Sequence, residues 1–325
     1  MTGPLGALDR RIVGALQVDG RAAWERIAAV LGEPEGTVAR HGAALLGEGG
    51  VRVVGVPAPE AGTVVHLRCG PGQERVAALA LARRGDTRWA HLLAGPAGGV
   101  AEIRCPPDRL ARLVGDELPR VPGLVDATVD TVLRYVRTED EWRPGLLATE
   151  ECDALSEHLP PPGDAPFGGA KELGPSDRML LTALQFDARR GDEELAEVTG
   201  LSRSAVPRRV DRLRRDGRLR IRVVVDPARI GFSLRAVVRA SAAPRDVPAV
   251  VAGLRREPWV LRACRVTGAL PLLAEVAVPG VDALHDLTTD APWLDRVTAL
   301  NTAVVVGTLK DGGLFSPPAP RTSWD

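Results

Sequence analysis

Nine arginines fall between Leu201 and Arg222 against only Asp211 and Asp216, a local charge of +7 in a chain with no net charge. Positive charge at that density neutralises phosphate, and arginine can also fork onto guanine O6 and N7. The spacing suits one helix. If Val206, Val210 and Leu213 face a core, then Ser204, Arg208, Asp211 and Arg215 point the other way at about 100° per residue. Arg203 and Arg212 flank that face, and Arg209 completes the cluster. Ser202 stands where an N-cap would leave free N–H groups for a phosphate. The expected DNA contacts are therefore Ser202, Arg203, Ser204, Arg208, Arg209, Arg212 and Arg215. Pro207 is at odds with a helix beginning at Ser202, because it forfeits a backbone hydrogen bond; it bends the helix, or the helix starts later.

The elements that must hold this helix occur twice. Asp9 to Val56 aligns without a gap on Asp177 to Val224, at an offset of 168 residues and with about a third of positions identical. In each copy three apolar-periodic stretches precede a short β-rich run, VRVVGV or LRIRVVVD. That is helix, helix, tight turn, helix and β ribbon, a winged helix-turn-helix. Beyond it each copy shows strand, helix, strand, strand, helix, strand, the ferredoxin-like order. The fold class expected is α+β: two winged helix-turn-helix domains alternating with two ferredoxin-like βαββαβ αβ-sandwich domains. The boundaries read 5–58 and 59–140 for the first copy, 150–172 for a Pro/Gly-rich linker, and 173–228 and 229–312 for the second.

The first copy is the weaker DNA reader. From Glu33 to Val54 it holds Arg40 and Arg52 against Glu33, Glu35 and Glu48, a charge of −1. Its outward helix positions become Gly36, Arg40, Ala43 and Gly47, which can contact little.

Composition excludes several classes. The four cysteines lie far apart, with no CxxC pair and no histidine at ligand spacing, so neither a metal site nor a cofactor is expected. No apolar run approaches the ~18 residues of a membrane span, and the expected location is cytoplasmic. His91 and His285 each stand alone and read as packing or surface residues.

In this order, the opening at Leu173–Leu181, then LQFDAR, ELAEVTGLSRSAVPRRVDRLRRDGRL, VDP at Asp226–Pro227 and VTG at Val266–Gly268 resemble the leucine-responsive / AsnC family of bacterial transcription regulators. The first copy resembles it through LDRRIVGALQVDGR and Gly95. The resemblance spans about 290 residues. It implies double-stranded DNA as partner and a small-molecule effector bound between paired αβ domains, near the turns Leu93–Gly99 and Thr267–Pro271. Gly95, Gly98, Gly99, Thr267, Gly268 and Ala269 are the effector-binding residues so implied, although tight-turn geometry alone accounts for the glycines. Neither turn carries a carboxylate, and Glu102 and Glu275 lie further along their strands, so an ordinary α-amino acid is not the expected effector. Two αβ domains in one chain can form an intramolecular pseudo-dimer, with further homo-oligomerisation on a palindrome.

Two other readings stand beside this one. Sirohaem decarboxylases resemble the same two-part fold, but no clustered histidines, nucleophile–base pair or paired carboxylates mark a catalytic site here. The other is a non-DNA-binding assembly partner of related regulators, which leaves the basic helix unexplained.

Overall fold

The computed structural model describes residues 3–47, 50–57, 61–157, 159 and 173–315. In chain order, α1 (Ala7–Val18), α2 (Trp24–Leu31) and α3 (Glu35–Gly47) lead into β1 (Val51–Pro57). Then come β2 (Gly62–Cys69), α4 (Glu74–Ala82), β3 (Thr87–Leu93), β4 (Gly99–Arg104), an irregular helical stretch containing α5 (Leu110–Arg112), and β5 (Leu124–Arg137). After α6 (Thr149–Ser156) the second copy supplies α7 (Pro175–Phe186), α8 (Asp192–Thr199), α9 (Ala205–Arg215) and β6 (Leu219–Val225). It continues with β7 (Leu234–Ala242), α10 (Val247–Arg256), β8 (Val260–Val266), β9 (Leu272–Val278), α11 (Val281–Thr289), β10 (Val297–Asp311) and β11 (Leu314–Phe315).

The elements gather into two compact units, residues 1–58 with 139–233 and residues 59–138 with 234–325. Each unit takes one half-copy from either repeat. In the first unit, α1–α3 and α7–α9 are the two helical triplets. Both second helices end on a left-handed glycine, Gly32 and Gly200, each with φ +68°, where a Cβ would be strained. Each copy brings a single strand of wing, and the ribbon is completed by the other copy: β1 pairs antiparallel with β6, from Val51 opposite Val225 to Pro57 opposite Leu219. Two residues 168 apart in sequence lock the same joint. Arg21 donates to the carbonyls of Ala188 (2.5 Å) and Arg190 (3.3 Å), and Arg189 to those of Gly20 (2.8 Å) and Ala22 (3.0 Å).

Not all of 150–172 is linker. Thr149–Ser156 is helical and packs on α1 and α2, with Leu155 fully buried. Arg11 binds Glu151 at 2.6 Å, and Arg26 donates to the carbonyls of Ala154 and Leu155. One apolar anchor with polar flanks gives too weak a period to be read from sequence. Residues 160–172 lie outside the described residues.

In the second unit the strands run β11-β10-β3-β4-β2-β5-β8-β9-β7, and β7 pairs back onto β10. Eight strands thus close on themselves, four from each copy, with β11 added beside β10. The joints between copies are β5 with β8 and β10 with β3. Alternate residues serve two cores, which is why these strands read as almost continuous apolar runs. Val65, Leu67, Ala101 and Ile103 pack under α4, and Ala236, Val238, Ala274 and Val276 join the core of α10. Between them, Val64, Trp89, Val100, Val237, Cys264 and Leu273 meet on the opposite strand face, drawn from both copies.

Candidate nucleic-acid interface and effector pocket

The basic helix starts later than Ser202. α9 runs from Ala205 to Arg215 with Ser204 at its N-cap position, and the Ser204 side chain makes no capping bond. Ser202 does not cap; its carbonyl accepts from the N–H groups of Ala205 (2.9 Å) and Val206 (3.3 Å). Pro207 is then the third helical residue, where an N–H has no intrahelical acceptor anyway, so the proline costs the helix no ladder bond. The inward stripe is as the spacing requires, with Val206, Val210 and Leu213 buried.

Seven of the nine arginines divide into two groups, and Arg214 and Arg218 are half-buried. Arg203, Arg208 and Arg215 are exposed, and among the described residues no carboxylate forms an ion pair with them. Others are spent inside the unit. Arg209 and Arg212 bind the buried carboxylate of Asp177 on α7, at 3.2 and 2.7 Å. In the first copy the matching Asp9 holds His41 of α3 at 2.7 Å, so this contact fixes the third helix in both repeats. Arg220 and Arg222 on β6 face Asp140 and Glu139 at 3.5 and 4.0 Å. The open cationic surface is therefore Arg203, Arg208 and Arg215, with half-exposed Arg212 beside them. On α3 the exposed positions are Glu35, Gly36, Arg40, Ala43, Ala44 and Gly47.

The two turns expected to bind an effector differ from each other. Gly95 (φ +102°) and Gly268 (φ +91°) both need the left-handed region. A pocket of about 290 Å³ lies beside the first turn, lined there by Leu93, Pro96 and Ala97. Its other walls are His66 and Arg68 of β2, Asp126 and Thr128 of β5, Val237 and Arg239 of β7, and Asn301 and Ala303 of β10. Gly98 and Gly99 pack instead on Glu74, Leu67 and Ala78. None of the expected Gly95, Gly98, Gly99, Thr267, Gly268 or Ala269 lines this pocket. Thr267 bonds the backbone of Thr131 in both directions, at 2.9 Å each, and a Cβ on Gly268 would strike the Asp130 carboxylate.

Asp130, His66, Arg235, Arg239 and Arg262 on the strand faces escaped the sequence reading, as did the partners of His91, Glu102 and Glu275. Asp130 is buried and accepts from Arg239 Nη2 at 2.9 Å; His66 Nε2 lies 3.8 Å from the same oxygen, beyond hydrogen-bond reach. Burial, with the positive charge of Arg239, pushes the His66 imidazole down to about 3, so it is neutral. His91 does not stand alone: it is fully buried and meets Glu275 of the other copy at 3.2 Å. Glu275 is also held by Arg235 and by Arg262 at 2.8 Å. Burial by itself raises the Glu275 carboxyl, and Arg235, Arg262 and His91 overcome this and hold it below the usual carboxylate range. Glu102 takes bonds from Trp89 Nε1 (2.5 Å) and the Tyr135 hydroxyl. Neither glutamate lines the pocket. The carboxylate that does is Asp126, half-exposed and already bound to Arg68 at 2.8 Å. The signal that could have found His66, Arg235 and Arg239 is a polar residue interrupting an apolar strand run, on the same face as Val64 and Val237.

Two helix-turn-helix triplets sharing one ribbon, followed by two αβ halves sharing one closed sheet, define a tandem helix-turn-helix protein with a paired αβ module. A family model for the AsnC-type helix-turn-helix domain matches residues 5–41 and 175–214. The chain therefore carries two AsnC-type helix-turn-helix domains, one in each copy. It is similar to regulatory protein AsnC of Escherichia coli strain K12, 28% identical over 135 residues, 40% of this chain and 88% of that protein. The HTH-type transcriptional regulator AldR of Mycolicibacterium smegmatis is 29% identical over 133 residues, 40% of this chain and 78% of that one. Among solved structures, the siroheme decarboxylase NirDL matches with a TM-score of 0.60 and 12% identity, covering 94% of this chain and 93% of its own. At that identity the likeness is one of fold. Among the described residues no helix is long and apolar enough to cross a membrane.

Proposed function

We propose that the chain is a sequence-specific, effector-modulated transcription regulator that contacts double-stranded DNA through α9. The observation that carries this is the contrast between two repeat-equivalent helices. α9 exposes Arg208, Arg212 and Arg215, with Arg203 exposed just before it, and α3 exposes Glu35, two glycines, two alanines and Arg40. Phosphate neutralisation supplies most non-specific affinity, so the two faces are unequal binders. Ser202, Arg203 and Ser204 stand exposed at the start of α9, where two hydroxyls and a guanidinium can donate to a phosphate. Arg209 serves chiefly to seat the helix on Asp177.

With one reading helix per chain, a palindromic operator takes two chains, since two-fold sites mirror two-fold proteins. The pocket beside Leu93–Ala97 is the proposed effector site. Fluorescence anisotropy on the protein's own upstream region tests the reading. Saturable, salt-dependent binding to that DNA and weaker binding to unrelated DNA supports it; equal binding to both removes the claim of sequence specificity. An absorbance scan after adding sirohaem addresses the enzymatic alternative, because a bound tetrapyrrole would shift its Soret band.

A further inference from the structure

The second unit carries an internal template for its ligand. One register relates its halves: Val64 pairs with Glu102 and Asp130 as Val237 pairs with Glu275 and Ala303. The turns obey it too, with Thr267 N–H on the Thr131 carbonyl (2.9 Å) and Ala94 N–H on the Val304 carbonyl (2.8 Å). His66 therefore corresponds to Arg239, Gly95 to Gly268, and Ala303 to Asp130. In the second half the space under the turn is filled. The Asp130 carboxylate lies against Gly268 and is held by Arg239. In the first half an added Cβ on the exposed Gly95 meets nothing within 4 Å, Ala303 replaces the aspartate, and the pocket opens between Ala303 and Leu93, Pro96 and Ala97 of the turn.

We propose that this pocket binds one small organic carboxylate per chain, its charged end taking the place in the first half that Asp130 fills in the second. The proposal rests on the reading of the pocket as the effector site. Its donors are in place. His66 Nε2 and Arg239 Nε are buried and have no hydrogen-bond partner among the described residues. Neutral imidazole donates through one ring nitrogen, and the nearby Asp130 oxygen favours Nε2–H as that donor. Buried donors without an acceptor are costly, and a carboxylate oxygen relieves them with charge-assisted bonds. Leu93, Pro96 and Val237 suit an apolar body of a few carbons.

Calorimetry without DNA tests this, using phenylacetate, 4-methyl-2-oxopentanoate and the neutral phenylacetamide as probes. At least one carboxylate should saturate at one per chain, with the amide ten-fold weaker or more. Ala303→Asp supplies the internal carboxylate and should abolish binding. Ala303→Leu, which fills the same space without charge, should also abolish it, and guards against a folding failure of the aspartate variant. Asp130→Ala frees the second place and should raise the stoichiometry to two. No saturable carboxylate binding, an equally tight amide, or binding untouched by either Ala303 variant would overturn the proposal. A stoichiometry still at one in Asp130→Ala would overturn the equivalence of the two places. DNA affinity, measured separately by anisotropy without ligand, reports on the regulator reading itself, so the two can fail independently.

Discussion

Replacing Arg208 and Arg215 together with alanine is the sharpest test of the α9 surface. Both are exposed and free of internal ion pairs among the described residues, so the loss should fall on DNA and leave the fold intact. Each phosphate contact removed makes the plot of log affinity against log salt shallower by about 0.9. Two chains on a palindrome lose four contacts, so the slope should change by about 3.6. Over a fourfold rise in salt, the native protein should then lose about 150-fold more affinity than the variant. If either arginine forks onto guanine instead, the slope changes less, about 1–3 kcal/mol is lost per contact, and discrimination at that base relaxes. Anisotropy titrations at several salt concentrations separate the cases. The matched control is Arg40→Ala on α3, with a slope change near zero. An unchanged slope and affinity in the double variant, or a larger effect from Arg40→Ala, would refute the assignment of α9.

Other outcomes are open to direct measurement. Arg212→Ala leaves the buried Asp177 with one partner, and partial exposure of Arg212 limits the cost to about 1 kcal/mol, readable by urea denaturation. Leu155→Ala should cost about 2–5 kcal/mol if α6 is part of the helical unit, and almost nothing if this stretch is free linker. Gly268→Ala should destabilise by about 1–3 kcal/mol through its φ and the clash with Asp130; Asp130→Ala should rescue part of that loss, and would do nothing for Gly95→Ala. Burial and Arg239 push the folded His66 down to about 3 from its ordinary 6.5, so the stability it contributes is fully present above 6.5 and is lost as pH falls below it. About 2 kcal/mol should go between pH 7.5 and 5, and His66→Asn should remove that share of the decline.

The sequence by itself determined the duplication, the helical triplets, the βαββαβ order and the inequality of the two basic faces. These follow from local information: apolar period, glycine at helix ends, and charge counted along one element. The inward stripe of α9 held at every position for the same reason. Tertiary structure decided which arginines remain available, because Asp177 is 32 residues before Arg209 and Glu139 is 83 before Arg222. It decided that the wings complete each other and that four strands from each copy close one sheet, since strand pairing is set by long-range register. It also decided the effector pocket. Gly95 and Gly268 look alike as sequence, and only the packing of a distant strand shows that Asp130 fills the space beside one and Ala303 leaves it open beside the other.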